Sequence, residues 1–163
     1  MQRKIGFGGG CHWCTEAIFQ SVKGVEKVDQ GWIKSTAPQD NWSEAVIVHF
    51  DDSEIPLQVL IEIHLLTHSS SSIHNLREKY RSAIYTFSKA QNHDCAGIMS
   101  QLQPEENEKY ITQILPFVDF KLNQEEFLNY FATRTDAPFC ETYIRPKLKM
   151  LLEKYGPLVN EVS

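Results

Sequence analysis

The order in which strand-like and helix-like segments follow one another is the feature that most constrains the fold of this chain. Apolar residues that alternate with polar ones predict strands, and apolar residues spaced three or four apart predict helices. The first part of the chain has the order strand, helix, strand, strand, helix, strand, over residues 4–7, 11–22, 25–33, 42–50, 56–67 and 81–87. This is the βαββαβ order of ferredoxin-like two-layer sandwiches. We therefore predict an α+β fold with that core.

The rest of the chain predicts further elements. Spacing indicates helices at 89–102, 124–133 and 145–155, and a fifth strand at 111–122 that is interrupted at Pro116. The helices near the C-terminal end are additions to the two-layer core. Because the chain has no internal repeat and no long linker, its 163 residues predict a single domain over residues 1–163.

Composition narrows the classes of function. The formal net charge of −5 argues against a nucleic-acid partner, which would need a basic face. No apolar run approaches the length of a membrane-spanning helix, and no secretory leader follows the first residues. Four cysteines at uneven spacing are too few for a disulfide framework and indicate thiol or metal chemistry in a reducing compartment. We expect a cytoplasmic protein with no membrane partner.

The segment with most chemical content joins the first strand to the first helix. Three glycines precede Cys11, and they allow the backbone to approach a ligand closely. A cysteine at the start of a helix is favoured as thiolate by the helix dipole, so Cys11 is the candidate nucleophile. Cys14 lies one turn further along. The competing interpretations are two small core residues or a zinc site, and the latter lacks a second ligand pair, so we expect no metal.

Several motifs carry a resemblance to one family. The segment 9–19, Gly-Gly-Cys-His-Trp-Cys-Thr-Glu-Ala-Ile-Phe, resembles the signature of A-type peptide methionine sulfoxide reductases, which reads Gly-Cys-Phe-Trp followed by a small residue or Cys and then Glu. Further similar stretches follow in the family's order, at 23–25, 31–32, 44–46, 60–68 and 80–85. The resemblance covers about residues 4–130.

The resemblance implies thiol-dependent reduction of the S epimer of methionine sulfoxide, free or in a protein. Cys11 would attack the sulfoxide sulfur and become a sulfenic acid, and a second thiol would form a disulfide that thioredoxin or a similar donor reopens. Glu44 would protonate the oxygen, because an otherwise apolar strand face favours its neutral form. Tyr80 would donate a hydrogen bond to the same oxygen, and Trp13 would form an apolar wall for the S-methyl group. The reaction needs no cofactor, and we expect a monomer.

The chain departs from the family pattern around the expected pocket. His12 replaces a phenylalanine, and Trp32 stands where a second tyrosine is expected. Asn41-Trp42-Ser43 replaces Gly-His-Ala before the glutamate, and the loop 68–79 is about four residues shorter than the family's. We place His12, Trp13 and Trp32 in the substrate pocket. Their identity predicts a substrate more polar than an ordinary peptidyl methionine sulfoxide.

The thiol that resolves the sulfenic acid is left open between two residues. Cys140, in a proline-containing loop, is preferred over Cys14, whose disulfide across one helical turn would be strained. Cys95 and His64 are expected to be packed in the core. Two other functions compete with the reductase: a thiol-disulfide oxidoreductase that uses Cys11 and Cys14, and a non-catalytic protein that binds sulfoxides.

Overall fold

The computed structural model of the chain describes residues 2–9, 12–67, 81–102, 111–124, 128–129 and 144–159. The strands are β1 (Gln2–Gly8), β2 (Val25–Lys34), β3 (Ser43–Asp51), β4 (Ala83–Thr86), β5 (Gln113–Pro116) and β6 (Asp119–Leu122). The helices are α1 (His12–Gln20), α2 (Leu57–Thr67), α3 (Lys89–Leu102) and α4 (Arg145–Tyr155), and a short 3₁₀ turn, Gly156–Leu158, follows α4. In these ranges no helix is long and apolar enough to cross a membrane.

The strands form one sheet with the order β5-β4-β1-β3-β2-β6. The four central strands pair antiparallel with one another, and their order β4-β1-β3-β2 arises because β3 inserts between β1 and β2. That insertion is the split βαβ arrangement of a ferredoxin-like sandwich. The predicted α+β fold class is therefore confirmed, and the predicted strands and helices of the first half are found within a few residues of their predicted ends.

The main core lies between the sheet and the helices. Alternate residues of β1 and β3 face it, among them Ile5 and Phe7 of β1 and Val48 of β3, all completely buried. Phe7 stacks on Phe19 of α1 with ring centroids 4.8 Å apart. Alternate residues of the strands thus pack against the apolar faces of the helices in one layer, as the spacing of the apolar residues predicts.

The prediction of one interrupted strand at 111–122 is wrong. Residues 113–116 pair in parallel with β4, whereas 119–122 pair antiparallel with β2, at the opposite edge of the sheet. Pro116 marks the break, because its ring fixes φ and it has no N–H to donate. The N–H of Phe117 still donates to the Thr86 carbonyl (2.9 Å), and that of Val118 donates to the Lys34 carbonyl (3.2 Å).

This two-residue link requires the sheet to curl. Six flat strands would place their edges about 24 Å apart, whereas the three steps from Pro116 to Asp119 span at most about 11 Å. The edges therefore approach each other across the face that the helices do not cover. A second core fills that concave face, and it contains the buried residues Ile33, Ala45, Ile47, Ala83 and Tyr85 with Phe87, Leu115, Phe117 and Phe120 around them.

Most of the predicted helix at 124–133 lies outside the described residues, as do the serine run 69–72 and the loop 68–79.

Candidate active site

The ends of the four central strands meet at one edge of the sheet, which we call the site edge. Gly8, the last residue of β1, pairs with Ala45 of β3 and with Ala83 of β4. Trp32 of β2 pairs directly with Glu44 of β3. Because β1 and β2 end here while β3 and β4 begin here, segments that are distant in sequence are brought together at this edge.

The site edge gathers the segments that carry the predicted catalytic residues. Glu44 lies on it, and β1 leads through Gly9 to Cys11. Tyr80 directly precedes Arg81 in the segment that leads into β4. Cys11, Tyr80 and Cys140 themselves lie outside the described residues, and so does the side chain of His12. Their catalytic and binding roles stay predictions.

Glu44 is 5% exposed and lies at the start of the strand face that continues with the buried Val46 and Val48. The burial expected from the alternation of β3 is therefore confirmed. Water has little access to this side chain, so a bound oxygen would meet it with little competition from solvent. Its role as the acid of the reaction stays a prediction.

Two glycines at the end of β1 are required, Gly8 by close packing and Gly9 by its backbone conformation. A Cβ on Gly8 would lie 2.8 Å from the carbonyl oxygen of Arg81 and 3.3 Å from that of Glu44, so only glycine fits between these two segments. Gly9 has φ +134°, which L side chains rarely adopt. His64 of α2 donates from Nε2 to the Gly8 carbonyl (2.7 Å) and is 2% exposed. The predicted hydrogen-bonded core histidine is confirmed, and it holds the end of β1 in place.

The first helix presents two predicted residues in different environments. Trp13 is half-buried, whereas Cys14 is 4% exposed and belongs to the main core. Glu16, on the next part of the helix, is 1% exposed and accepts the backbone N–H of Asn129 (3.0 Å). Sequence reasoning gave Glu16 no role. An acidic residue on the apolar face of a short helix indicates a buried hydrogen-bond acceptor, and that pattern could have identified it.

Arg81 is the largest omission from the sequence analysis. It is 4% exposed, and its guanidinium donates to the Tyr85 hydroxyl (2.9 Å), to Oδ1 and the carbonyl of Asn41 (2.9 and 3.2 Å), and to the Ile33 carbonyl (3.4 Å). Its backbone N–H donates to Oγ of Ser43 (2.8 Å), the residue before Glu44. These bonds join the start of β4 to the end of β2 and to the start of β3, and so brace the curled sheet beside the site edge.

The pKa of Tyr85, the buried tyrosine in this network, is changed by its surroundings. Burial raises the pKa of Tyr85 above its usual value, although the Arg81 guanidinium beside it acts in the opposite direction. Tyr85 therefore stays a neutral phenol that accepts one bond from Arg81 Nε. The arginine in Tyr80-Arg81-Ser82 could have been noticed from sequence, since a charge directly before a buried strand needs several acceptors.

Cys95 has the properties of a packing residue. It is completely buried in the main core, and burial, together with the nearby Asp94, raises the pKa of its thiol to about 12. A thiol in this state is a poor nucleophile. The expectation that Cys95 packs is confirmed. Across the described parts of the chain, no group of three or more His, Cys, Asp or Glu side chains is arranged to hold a metal ion.

Comparisons with known proteins agree with the resemblance. The sequence profile of the peptide methionine sulfoxide reductase family matches residues 3–157. The chain belongs to this family. The methionine sulfoxide reductase MsrA of Deinococcus radiodurans is 30% identical to it over 95% of this chain and 83% of that protein. A-type membership is thereby confirmed.

Solved structures agree on the fold. Mxr1 of Saccharomyces cerevisiae in its reduced form superposes with a TM-score of 0.72 at 20% identity, covering 87% of this chain and 91% of that one. The same yeast protein in complex with Trx2 gives a TM-score of 0.61 at 20% identity, over 77% and 84% of the two chains.

The family assignment settles the class of reaction. The chain is a peptide-methionine (S)-S-oxide reductase, an oxidoreductase that works through thiols. This assignment favours the predicted reductase over a thiol-disulfide oxidoreductase and over a non-catalytic sulfoxide-binding protein.

Proposed function

We propose that Cys11 is the nucleophile of this reductase and that Glu44 is its acid. The Cys11 thiolate attacks the sulfoxide sulfur while Glu44 protonates the sulfoxide oxygen. The attack forms a bond between the Cys11 sulfur and the substrate sulfur. The protonated oxygen then transfers to the Cys11 sulfur as the sulfur–oxygen and sulfur–sulfur bonds to the substrate break, so that methionine leaves as the thioether and Cys11 becomes a sulfenic acid. Tyr80 hydrogen-bonds the same oxygen as charge develops on it.

One observation carries this assignment: a nearly completely buried glutamate lies beside the end of the strand that leads to Cys11. Glu44 is 5% exposed, its backbone carbonyl oxygen lies 3.3 Å from the place that a Cβ on Gly8 would occupy, and its neighbour Ala45 pairs with Gly8. Three residues after Gly8 the chain reaches Cys11. Trp13 and His12 follow at the start of α1, where they supply the walls of the substrate pocket, and Trp32 lies across from Glu44 on β2.

We assign the resolving step to Cys140, with Cys14 as the second candidate. Its thiol condenses with the Cys11 sulfenic acid, so that a disulfide forms and water leaves. The burial of Cys14 in the main core supports this preference, since α1 would have to open before that thiol reached its partner. A thioredoxin-class dithiol then reduces the disulfide, and the yeast relative was solved in complex with Trx2.

A thioredoxin-class donor suits a reducing compartment, so we keep the cytoplasm as the proposed location. We also keep the expectations that the chain acts as a monomer and as a single domain.

The test is a single-turnover reaction of the reduced protein with each methionine sulfoxide epimer, followed by peptide mass spectrometry. We expect one disulfide per molecule with the S epimer and none with the R epimer. Cys11→Ser should abolish methionine formation, whereas Cys140→Ser should still release one methionine and leave a sulfenic acid that a dimedone probe traps.

The matched controls are Cys14→Ser and Cys95→Ser. Disulfide formation that survives in Cys140→Ser and is lost in Cys14→Ser would transfer the resolving role to Cys14. Methionine release by Cys11→Ser would disprove the nucleophile.

A further inference from the structure

Two lysines and two tryptophans form a cluster next to the site edge, which we call the Lys–Trp cluster: Trp32, Lys34, Trp42 and Lys121. The ammonium of Lys121 lies 5.5 Å from the Trp32 ring centroid and 5.7 Å from that of Trp42. The ammonium of Lys34 lies 4.9 Å from the Trp42 centroid. Both cations are thus held over indole faces, at distances where cation–π attraction acts.

The cluster keeps its positive charge available. In the part of the chain that the structure describes, neither ammonium has a carboxylate within 4.0 Å. The nearest acidic residue in the ladder is Asp119, the register partner of Lys34, and its Oδ1 accepts the N–H of Phe120 (2.8 Å). Indole rings orient the ammonium groups without supplying hydrogen-bond acceptors, so donors remain for an anion.

The cluster continues the same sheet face as the catalytic acid. Trp32 pairs with Glu44 on one side and with Lys121 on the other, so all three lie in one row across three strands. Lys34 lies two residues beyond Trp32 on the same face of β2. Strand spacing places the Lys121 backbone about 10 Å from that of Glu44.

We propose that the Lys–Trp cluster binds the carboxylate of an aspartate or glutamate that neighbours the methionine sulfoxide in a protein or peptide substrate. The inference rests on the proposed function, since it takes Glu44 as the point where the sulfoxide oxygen binds. The two tryptophans hold the lysines in position, and the lysines attract and select the acidic neighbour. On a chain of net charge −5, this local positive site would otherwise have no evident partner.

The separation favours a neighbouring residue over the substrate's own α-carboxylate. In an extended peptide, residues one or two positions away are displaced by about 3.5–7 Å before their side chains add further reach. With the reach of the acidic side chain added, that displacement spans the roughly 10 Å between the backbones of Glu44 and Lys121. The α-carboxylate of free methionine sulfoxide is only four bonds from the sulfur and falls short of it.

The test compares three blocked pentapeptides that carry the S sulfoxide at the centre and differ only in its two neighbours: glutamate, glutamine or lysine. For the unmodified enzyme we expect kcat/KM to be about three- to ten-fold higher for the glutamate than for the lysine peptide at low salt. The ratio should shrink as ionic strength rises. In the double variant Lys34→Gln, Lys121→Gln it should fall close to one.

Lys89→Gln is the matched control, because it removes one exposed positive charge at the start of α3 without touching the cluster. It should keep the full preference. Free methionine S-sulfoxide and its N-acetyl amide form a second comparison. If the cluster served the α-carboxylate, the free acid alone would lose rate in the double variant, and that result would overturn the assignment to a neighbouring residue.

Binding measured by calorimetry on the Cys11→Ser protein separates this inference from the proposed function. Peptides reduced at equal rates and bound with equal affinity, whatever their neighbours, would overturn the inference while the function stands. Lysine-dependent binding of the glutamate peptide without any turnover by the unmodified protein would support the inference and overturn the function.

Discussion

Trp32 lies directly across from Glu44 in the antiparallel ladder of β2 and β3, so the two side chains share one sheet face at the site edge. Cross-strand partners are about 5 Å apart at their Cβ atoms, which makes the indole part of the acid's surroundings. An indole donates one hydrogen bond and accepts none. The substitution of the family's tyrosine by Trp32 therefore leaves Glu44 as the group in this pair that can exchange a proton.

Glu44→Gln should abolish most of the reductase activity. The amide keeps the shape and the burial of the carboxyl group but has no proton to transfer, so we expect kcat to fall about 10²- to 10⁴-fold. Single-turnover formation of methionine, measured by chromatography, checks this. Glu54→Gln, an exposed carboxyl in the turn after β3, is the control and should keep its full rate. Normal turnover by Glu44→Gln would show that another group protonates the oxygen.

Arg81→Met should destabilise the fold and weaken the site edge. Removal of the guanidinium leaves the buried Tyr85 hydroxyl and Ile33 carbonyl without this donor, at a cost of about 2–3 kcal/mol in the free energy of unfolding. Urea denaturation monitored by circular dichroism measures the change. Arg3→Met removes a half-exposed ion pair with Asp52 and should cost under about 1 kcal/mol. Equal losses in the two variants would contradict the bracing role of Arg81.

Tyr85→Phe gives a smaller version of the same change, because it removes the hydroxyl's bonds to Arg81 Nε and to the Ser43 side chain but leaves the guanidinium in place. We expect a loss of about 1–2 kcal/mol in the free energy of unfolding. When Tyr85→Phe and Arg81→Met are combined, the loss in the free energy of unfolding should be less than the sum of the two single losses. Both variants break the same bond.

Gly8→Ala should lower both stability and activity. The new methyl group would lie 2.8 Å from the Arg81 carbonyl oxygen, so the segment before β4 must move away from β1, at about 1–3 kcal/mol. Gly97→Ala in α3 is the contrasting control. A Cβ there meets nothing within 4 Å, and we expect it to stabilise the helix by about 0.5–1 kcal/mol. Thermal unfolding of both variants, together with turnover, checks the pair. A Gly8→Ala enzyme with unchanged activity would contradict the close packing of this edge.

The free energy of unfolding should fall as the pH rises above about 9. The Cys95 thiol has its ordinary pKa of about 9.0 in the unfolded chain, whereas in the folded chain burial raises its pKa to about 12. Between these values the unfolded state releases a proton that the folded state keeps, so rising pH favours unfolding. Chemical denaturation at several pH values from 8 to 11 measures the slope.

Cys95→Ala should flatten that slope and leave the part due to two tyrosines. Burial raises the pKa of Tyr85, and burial together with Glu62 raises the pKa of Tyr155 to about 12. Cys95 should also resist iodoacetamide in the folded protein at pH 8.5, because little thiolate is present. Rapid alkylation of Cys95 would disagree with its burial.

Local patterns were sufficient to predict the order of the elements in the first half of the chain. Alternation in 42–50 and the apolar stripe of 56–67 each report which side of one segment is buried, and that information is contained in neighbouring residues. The same local reasoning predicted Cys11 at a helix start, the burial of Glu44 and the packing of His64 and Cys95. The glycines before Cys11 and the family's motifs lie in short stretches of sequence, so they could be read without knowledge of the tertiary structure.

The curl of the sheet and the pairing across it depended on the tertiary structure. The pattern at 111–122 indicates strand but not which edge it joins, because an edge is chosen by hydrogen bonds to β2 and β4, far away in sequence. For the same reason the bonds of Arg81 to Asn41 and Tyr85, and the row of Glu44, Trp32 and Lys121, could not be predicted. The sequence by itself determined the elements and the reaction class; only the packing of strand on strand decided which side chains surround the acid.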